Sequence, residues 1–131
     1  MGKMNPASHA RGFTLMELMV VMAIIASLMT LALPRYFHSV DRSREAVLRQ
    51  DLHIMRDAID KFLADRGRYP LTLEELAEKR YLRKVPADPV TESPSTWVVV
   101  APPEGEAREG VYDVRSGAPG RSLDGEAYEN W

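Results

Sequence analysis

The chain has 131 residues, 45% of them hydrophobic, with a formal net charge of −2; that is room for one domain of ordinary globular composition. It contains no cysteine, which excludes a disulfide framework and any thiolate metal site. No basic cluster or nucleic-acid motif is present, so a nucleic-acid partner is not expected.

In chain order, residues 1–12 form a short polar segment without periodicity, carrying Lys3 and Arg11 and no acidic residue. From Phe13 to Leu33 the chain is apolar, with Glu17 as its only formal charge. A helix over that stretch reaches about 31 Å, enough to cross the hydrocarbon core of a bilayer. The basic residues before the span favour a cytoplasmic N-terminus, although Arg35, Arg42 and Arg44 follow it. No small-residue cleavage site follows Leu33, as a secretory signal would require.

Beyond the span, apolar residues recur at steps of three and four: Tyr36, Phe37, Val40, Val47, Leu48, Leu52, Met55, Ala58, Ile59, Phe62 and Leu63. This predicts an amphipathic continuation of the helix, with Pro34 loosening or bending it and Gly67 capping its end. Thr72 and Glu75 have the spacing of a capping box, and Leu71 and Leu76 that of a hydrophobic staple, so a short helix is expected from about Leu73 to Arg80. Trp97–Ala101 and Val111–Arg115 read as strands of an antiparallel hairpin joined by a polar loop. The tail is dense in turn formers and ends in Tyr128 and Trp131, two residues suited to anchor it.

A carboxylate inside a membrane span costs several kcal/mol unless it is neutralised or paired, so Glu17 is either an interfacial residue snorkelling to the headgroups or one that calls for a cationic partner within the membrane. The segment Arg11-Gly12-Phe13-Thr14-Leu15-Met16-Glu17 resembles the processing signal of type IV pilins and of the pseudopilins of type II secretion systems. The resemblance implies that a prepilin peptidase cuts between Gly12 and Phe13 and methylates the new amine of Phe13. Removal of Lys3 and Arg11 moves the formal charge from −2 to −4. It also implies that Glu17 meets the amine of a neighbouring subunit, and that Phe13, Glu17 and Pro34 are the assembly residues.

Further on, Gly67-Arg68-Tyr69-Pro70, the Leu-rich short helix, Val85-Pro86-Ala87-Asp88-Pro89 and the run from Tyr112 to Trp131 are similar to the major pseudopilins. The fold implied is α+β and pilin-like: a long N-terminal helix, half membrane and half amphipathic, packed on a short helix and a small antiparallel C-terminal sheet. The segments are then 1–12, a removed leader; 13–33, the transmembrane and assembly helix; 34–67, its amphipathic continuation; and 68–131, a periplasmic globular part.

The expected function is that of a major-type pseudopilin, polymerising in the periplasm to drive export of folded proteins across the outer membrane. The implied partners are further copies of the chain, minor pseudopilins, the inner-membrane assembly platform, the prepilin peptidase and membrane lipid. A subunit of a type IV pilus serving adhesion, motility or DNA uptake is the close alternative, and a membrane-anchored binding module that never polymerises is the distant one. An enzyme is not expected, because no nucleophile, phosphate-loop or zinc motif appears and His9, His38 and His53 are too dispersed for a shared metal. Major pseudopilins commonly hold Ca²⁺ in the last loop, where Asp124 is the candidate ligand, assisted by Asp113, Glu126 or main-chain carbonyls. Six to eight oxygens are needed, for which this is a poor set, so a loop held by Pro119, Tyr128 and Trp131 is the favoured arrangement, bound Ca²⁺ the alternative, and no other cofactor is expected.

Overall fold

The computed structural model describes residues 2, 12–106 and 109–131; the expected leader therefore lies outside the described residues, apart from Gly2 and Gly12. The chain divides into two compact units, Met1–His38 and Ser39–Trp131. Helix α1 spans Leu15–Arg66, with Pro34 inside it. It is followed by α2 (Leu73–Glu78), β1 (Val98–Val100), β2 (Asp113–Arg115) and a 3₁₀ turn, Tyr128–Asn130. The arrangement is the expected α+β one.

Within the second unit the apolar stripe of α1 makes the core. Leu48, Leu52, Met55, Ala58, Ile59 and Phe62 are buried, at the three-and-four spacing that keeps side chains on one helix face. They meet Leu73 and Leu76 of α2, Leu82, Trp97, Val111, Val114, Ala118 and Tyr128. Three residues expected on the stripe fall elsewhere: Tyr36, Phe37 and Val47 are exposed. The first two belong to the other unit, and Val47 sits one step off the 45–48–52–55–59–62 line.

Gly67 ends α1 as expected, with φ +68° and its N–H bonded to the Leu63 carbonyl at 2.9 Å, a left-handed cap that glycine adopts without steric penalty. Thr72 caps α2, its Oγ1 accepting from Glu75 N at 3.2 Å. The return bond of the box is displaced: the Glu75 carboxylate accepts from Leu71 N at 2.7 Å and pairs with Arg68. Arg68 first, then the Leu71 N–H, hold that carboxyl below its ordinary value. Leu71 is exposed, so no staple forms, and α2 stops at Glu78 rather than Arg80.

The strands are shorter than expected but paired as expected, antiparallel, with Val98 opposite Arg115 and Val100 opposite Asp113. Close approach sets their position. A Cβ on Gly117 would sit 2.1 Å from the Thr96 carbonyl oxygen, and one on Gly110 would sit 2.5 Å from that of Pro70. Trp97 Nε1 donates to the Pro86 carbonyl at 2.7 Å, tying the proline-bracketed link to β1. Asp88, fully buried, holds the turn that follows it by accepting from Val90 N at 2.8 Å.

Phe62 is fully buried and packs edge-to-face on Tyr81 with ring centroids 5.2 Å apart. Phe62→Ala is expected to destabilise the second unit by about 3–5 kcal/mol, read from denaturant unfolding of the detergent-solubilised chain by Trp97 fluorescence. A loss below about 1 kcal/mol would contradict the placement of Phe62 at the core.

Candidate functional site

The first site is the segment at which α1 begins. Gly12, Phe13 and Thr14 precede the helix, and Thr14 stops it from extending backwards: its Oγ1 accepts from Glu17 N at 3.2 Å, satisfying one of the free donors of the first turn. The Gly12–Phe13 bond therefore lies in non-helical chain, with Phe13 88% exposed. Glu17 stands one turn in, and Phe13 and Glu17 share an apolar recess with Met16, Val20 and Val21.

The helix surface around this recess is unpartnered. The span has a mean hydropathy of 2.3 over its most apolar stretch, none of it buried by the chain itself. The two hydroxyls farther along fold back on their own backbone, Ser27 onto Ala23 and Thr30 onto Ala26, each at 2.8 Å. Serine and threonine in lipid satisfy themselves in this way. Among the described residues nothing pairs with the Glu17 carboxylate. Such a surface demands lipid or the helices of other copies, and the carboxylate demands a cation. Pro34, the third expected assembly residue, lies farther along the helix and not at this recess.

The second site is the C-terminal loop, and here two residues that the sequence pattern passed over do the holding. Glu45 is buried on α1, and its Oε1 accepts from Leu123 N at 2.7 Å and from the Tyr128 hydroxyl at 3.0 Å. Arg56 donates from Nε to Asp113 Oδ1 at 2.8 Å, and from one terminal nitrogen to the main-chain oxygens of Val114 at 2.9 Å and Trp131 at 2.7 Å. The Tyr128 and Trp131 rings meet edge-to-face at 5.2 Å, and Arg49 lies 4.4 Å over the Trp131 ring. Tyr128 and Trp131 thus anchor the tail as expected. Glu45 had a sequence signal: it sits on the buried stripe three residues before Leu48, where a carboxylate must have a partner.

Asp124, the expected metal ligand, is 85% exposed in its side chain and stands 4.0 Å from Arg49. Asp113 is committed to Arg56 and to Val114 N, and Glu126 faces a recess it shares with Arg49 and Arg56. Among the described residues no three acidic or histidine side chains gather as a metal site would require.

Comparison with known proteins agrees with this architecture. A capped, exposed segment before the first helix, an apolar helix with one carboxylate and an amphipathic continuation forming the core of a small α+β domain define a pilin-like membrane subunit. A family model described as the prokaryotic N-terminal methylation motif matches residues 7–33. A type II secretion system core protein G of Escherichia coli is 31% identical over 132 aligned residues, covering 88% of this chain and 86% of that protein. The chain belongs to the type II secretion system core protein G family. The core protein G of Pseudomonas aeruginosa is 33% identical over 94 residues, 60% of this chain and 66% of its own. A type IV major pilin of Myxococcus xanthus is 36% identical over 67 residues, 51% of this chain but 30% of that pilin. No solved structure matches.

Burial first, then the hydrogen bond to Glu45, then the charges of Glu45, Asp41 and Asp88 push the Tyr128 hydroxyl from 10.0 up to about 12. A raised folded value favours the neutral phenol in the native state, so this contribution to stability is complete below about pH 10 and is lost as pH rises through about 12. Absorbance titration of tyrosinate should show one of the five tyrosines ionising late, and Tyr128→Phe should remove that phase. A late phase that survives the substitution contradicts the assignment.

Proposed function

We propose that the chain is a structural pseudopilin, processed at Gly12 and polymerised through its N-terminal helix into a periplasmic pseudopilus that drives export of folded proteins across the outer membrane. The observation that carries this reading is the similarity to core protein G along nearly the whole chain, joined to a span whose single carboxylate stands beside Phe13 without a partner.

The chemistry follows from two charges. Cleavage of the Gly12–Phe13 bond by a prepilin peptidase frees an amine on Phe13, which then receives a methyl group and remains cationic. Neither this ammonium nor the Glu17 carboxylate is tolerated alone in hydrocarbon, where an unpaired charge costs several kcal/mol. In low dielectric the attraction between opposite charges is several-fold stronger than in water. An incoming subunit whose amine reaches the Glu17 of its neighbour relieves both penalties together, so docking in one register is favoured.

The topology consistent with this chemistry is an inner-membrane protein with its N-terminus in the cytoplasm and residues 39–131 in the periplasm. Minor pseudopilins and an inner-membrane assembly platform are its further partners. The role is architectural rather than enzymatic. A type IV pilus subunit is the second reading, supported by the Myxococcus xanthus pilin; the greater coverage by core protein G favours secretion.

Intact mass of the purified protein should correspond to a chain beginning at Phe13 and carrying one added methyl group. Glu17→Ala should still be cleaved but fail to form filaments, and exoprotein secretion should fall at least about tenfold, equivalent to about 1.4 kcal/mol of lost assembly free energy. Filament formation undiminished in Glu17→Ala overturns the pairing. Loss of surface motility with secretion intact, on deletion of the chain, overturns the secretion reading in favour of a pilus.

A further inference from the structure

We propose that the C-terminal loop of this chain, Gly117–Gly125, is closed by two carboxylates of its own fold, Glu45 and Asp88, and that its stability does not depend on calcium. The loop's polarity carries this. A calcium site needs six to eight oxygens directed at one point, at 2.3–2.6 Å from the ion. Here the groups directed inward are hydrogen-bond donors, and what they meet is a buried anion.

At the start of the loop, Ala118 N donates to Ser116 Oγ at 3.1 Å, and that hydroxyl donates to Asp88 Oδ2 at 2.7 Å, with both Asp88 and Ser116 fully buried. At its end, Leu123 N and the Tyr128 hydroxyl converge on a single oxygen of Glu45. The loop thus runs between two fixed negative charges supplied from outside it, one from α1 and one from the proline-bracketed link.

The carbonyls of Ser122 and Gly125 in the loop, and of Glu126 just after it, are engaged elsewhere. The Glu126 carbonyl accepts from Ser122 N at 2.7 Å and the Ser122 carbonyl from Gly125 N at 2.9 Å; the Gly125 carbonyl accepts from the Arg121 guanidinium at 2.9 Å. The three carboxylates a cation would draw on all stand against guanidinium groups: Asp124 by Arg49, Asp113 on Arg56, and Glu126 in the recess lined by both. Two guanidinium groups there oppose a divalent cation by Coulomb repulsion. The donor set around Asp124 does not fit calcium, and Glu45 does from the helix side what a bound cation would do from within the loop.

The test uses the full chain in detergent, with thermal unfolding followed by tryptophan fluorescence and loop accessibility by limited proteolysis, each in CaCl₂ and in EGTA. The wild-type chain is expected to give the same Tm and cleavage pattern in both. Asp124→Asn is expected to behave as wild type. Glu45→Ala leaves the Leu123 N–H and Tyr128 hydroxyl without their acceptor; a fall in Tm of roughly 10 °C is expected, with faster cleavage in residues 117–125 that CaCl₂ does not reverse. Glu45→Gln, which keeps a carbonyl oxygen in the same position, should fall between the two and covers the case in which the alanine variant does not fold. A wild-type Tm that drops by several degrees in EGTA and recovers in CaCl₂ overturns the proposal. So does a Glu45→Ala chain as stable as wild type. Neither result depends on filament assembly, so a failure here is distinguishable from a failure of the pseudopilin reading.

Discussion

The elements that follow Gly67 are laid against one stripe of a helix. Leu48, Leu52, Met55, Ile59 and Phe62 present a row of buried side chains, and α2, the two-stranded sheet and the C-terminal turn each pack on some part of it. Two three-residue strands and a six-residue helix are too short to be stable alone, since isolated short helices and hairpins are marginal in water. They persist because the helix supplies a prebuilt apolar wall. With no cysteine in the chain, no covalent staple shares that task.

The wall is flanked by two charges that perform a different service. Apolar contact fixes how near the tail lies but not its register, whereas hydrogen bonds to ionised groups are directional and stronger than neutral ones. Glu45 and Arg56 stand about three helical turns apart. One takes donors from Leu123 and Tyr128, and the other gives hydrogen bonds to Asp113, Val114 and Trp131. A negative clamp for donors and a positive clamp for acceptors sort the two ends of the C-terminal region by polarity. The buried position of Glu45 makes its satisfaction obligatory, so the loop cannot leave it without exposing an unpaired carboxylate to the core.

Much of this was legible in the chain. The apolar run with one glutamate, the three-and-four periodicity, Gly67, the Thr72 cap and the β-rich segments each express a local rule, and each element appears close to where that rule places it. The shortfalls occur where local rules compete or where partners are distant in sequence. Leu71 has the right spacing for a staple, but the Glu75 carboxylate takes the Leu71 N–H and the side chain stays in solvent. Val47 is apolar but one step off the buried line. The partners of Glu45 and Arg56 lie between 57 and 83 residues away, a separation no periodicity reveals. Asp124 enters as a candidate ligand through the resemblance to pseudopilins that hold calcium in this loop; its neighbour Arg49 comes from a helix far from it in sequence.

The two hydroxyls of the membrane helix, Ser27 and Thr30, turn inward upon carbonyls of their own chain, and this has a mechanical consequence for a bundle of such helices. A rod that shows only hydrocarbon to its neighbours slides along them with little change in energy, since every axial offset buries similar surface against lipid-like surroundings. A second polar group on the outside would have created a second resting position. In the assembly proposed above, with those hydroxyls silenced, Glu17 would be the one notch on a smooth shaft, and an axial slip of one turn, about 5.4 Å, would have nowhere else to catch. A single-notch shaft can be pushed lengthwise and still stop at the same place each time.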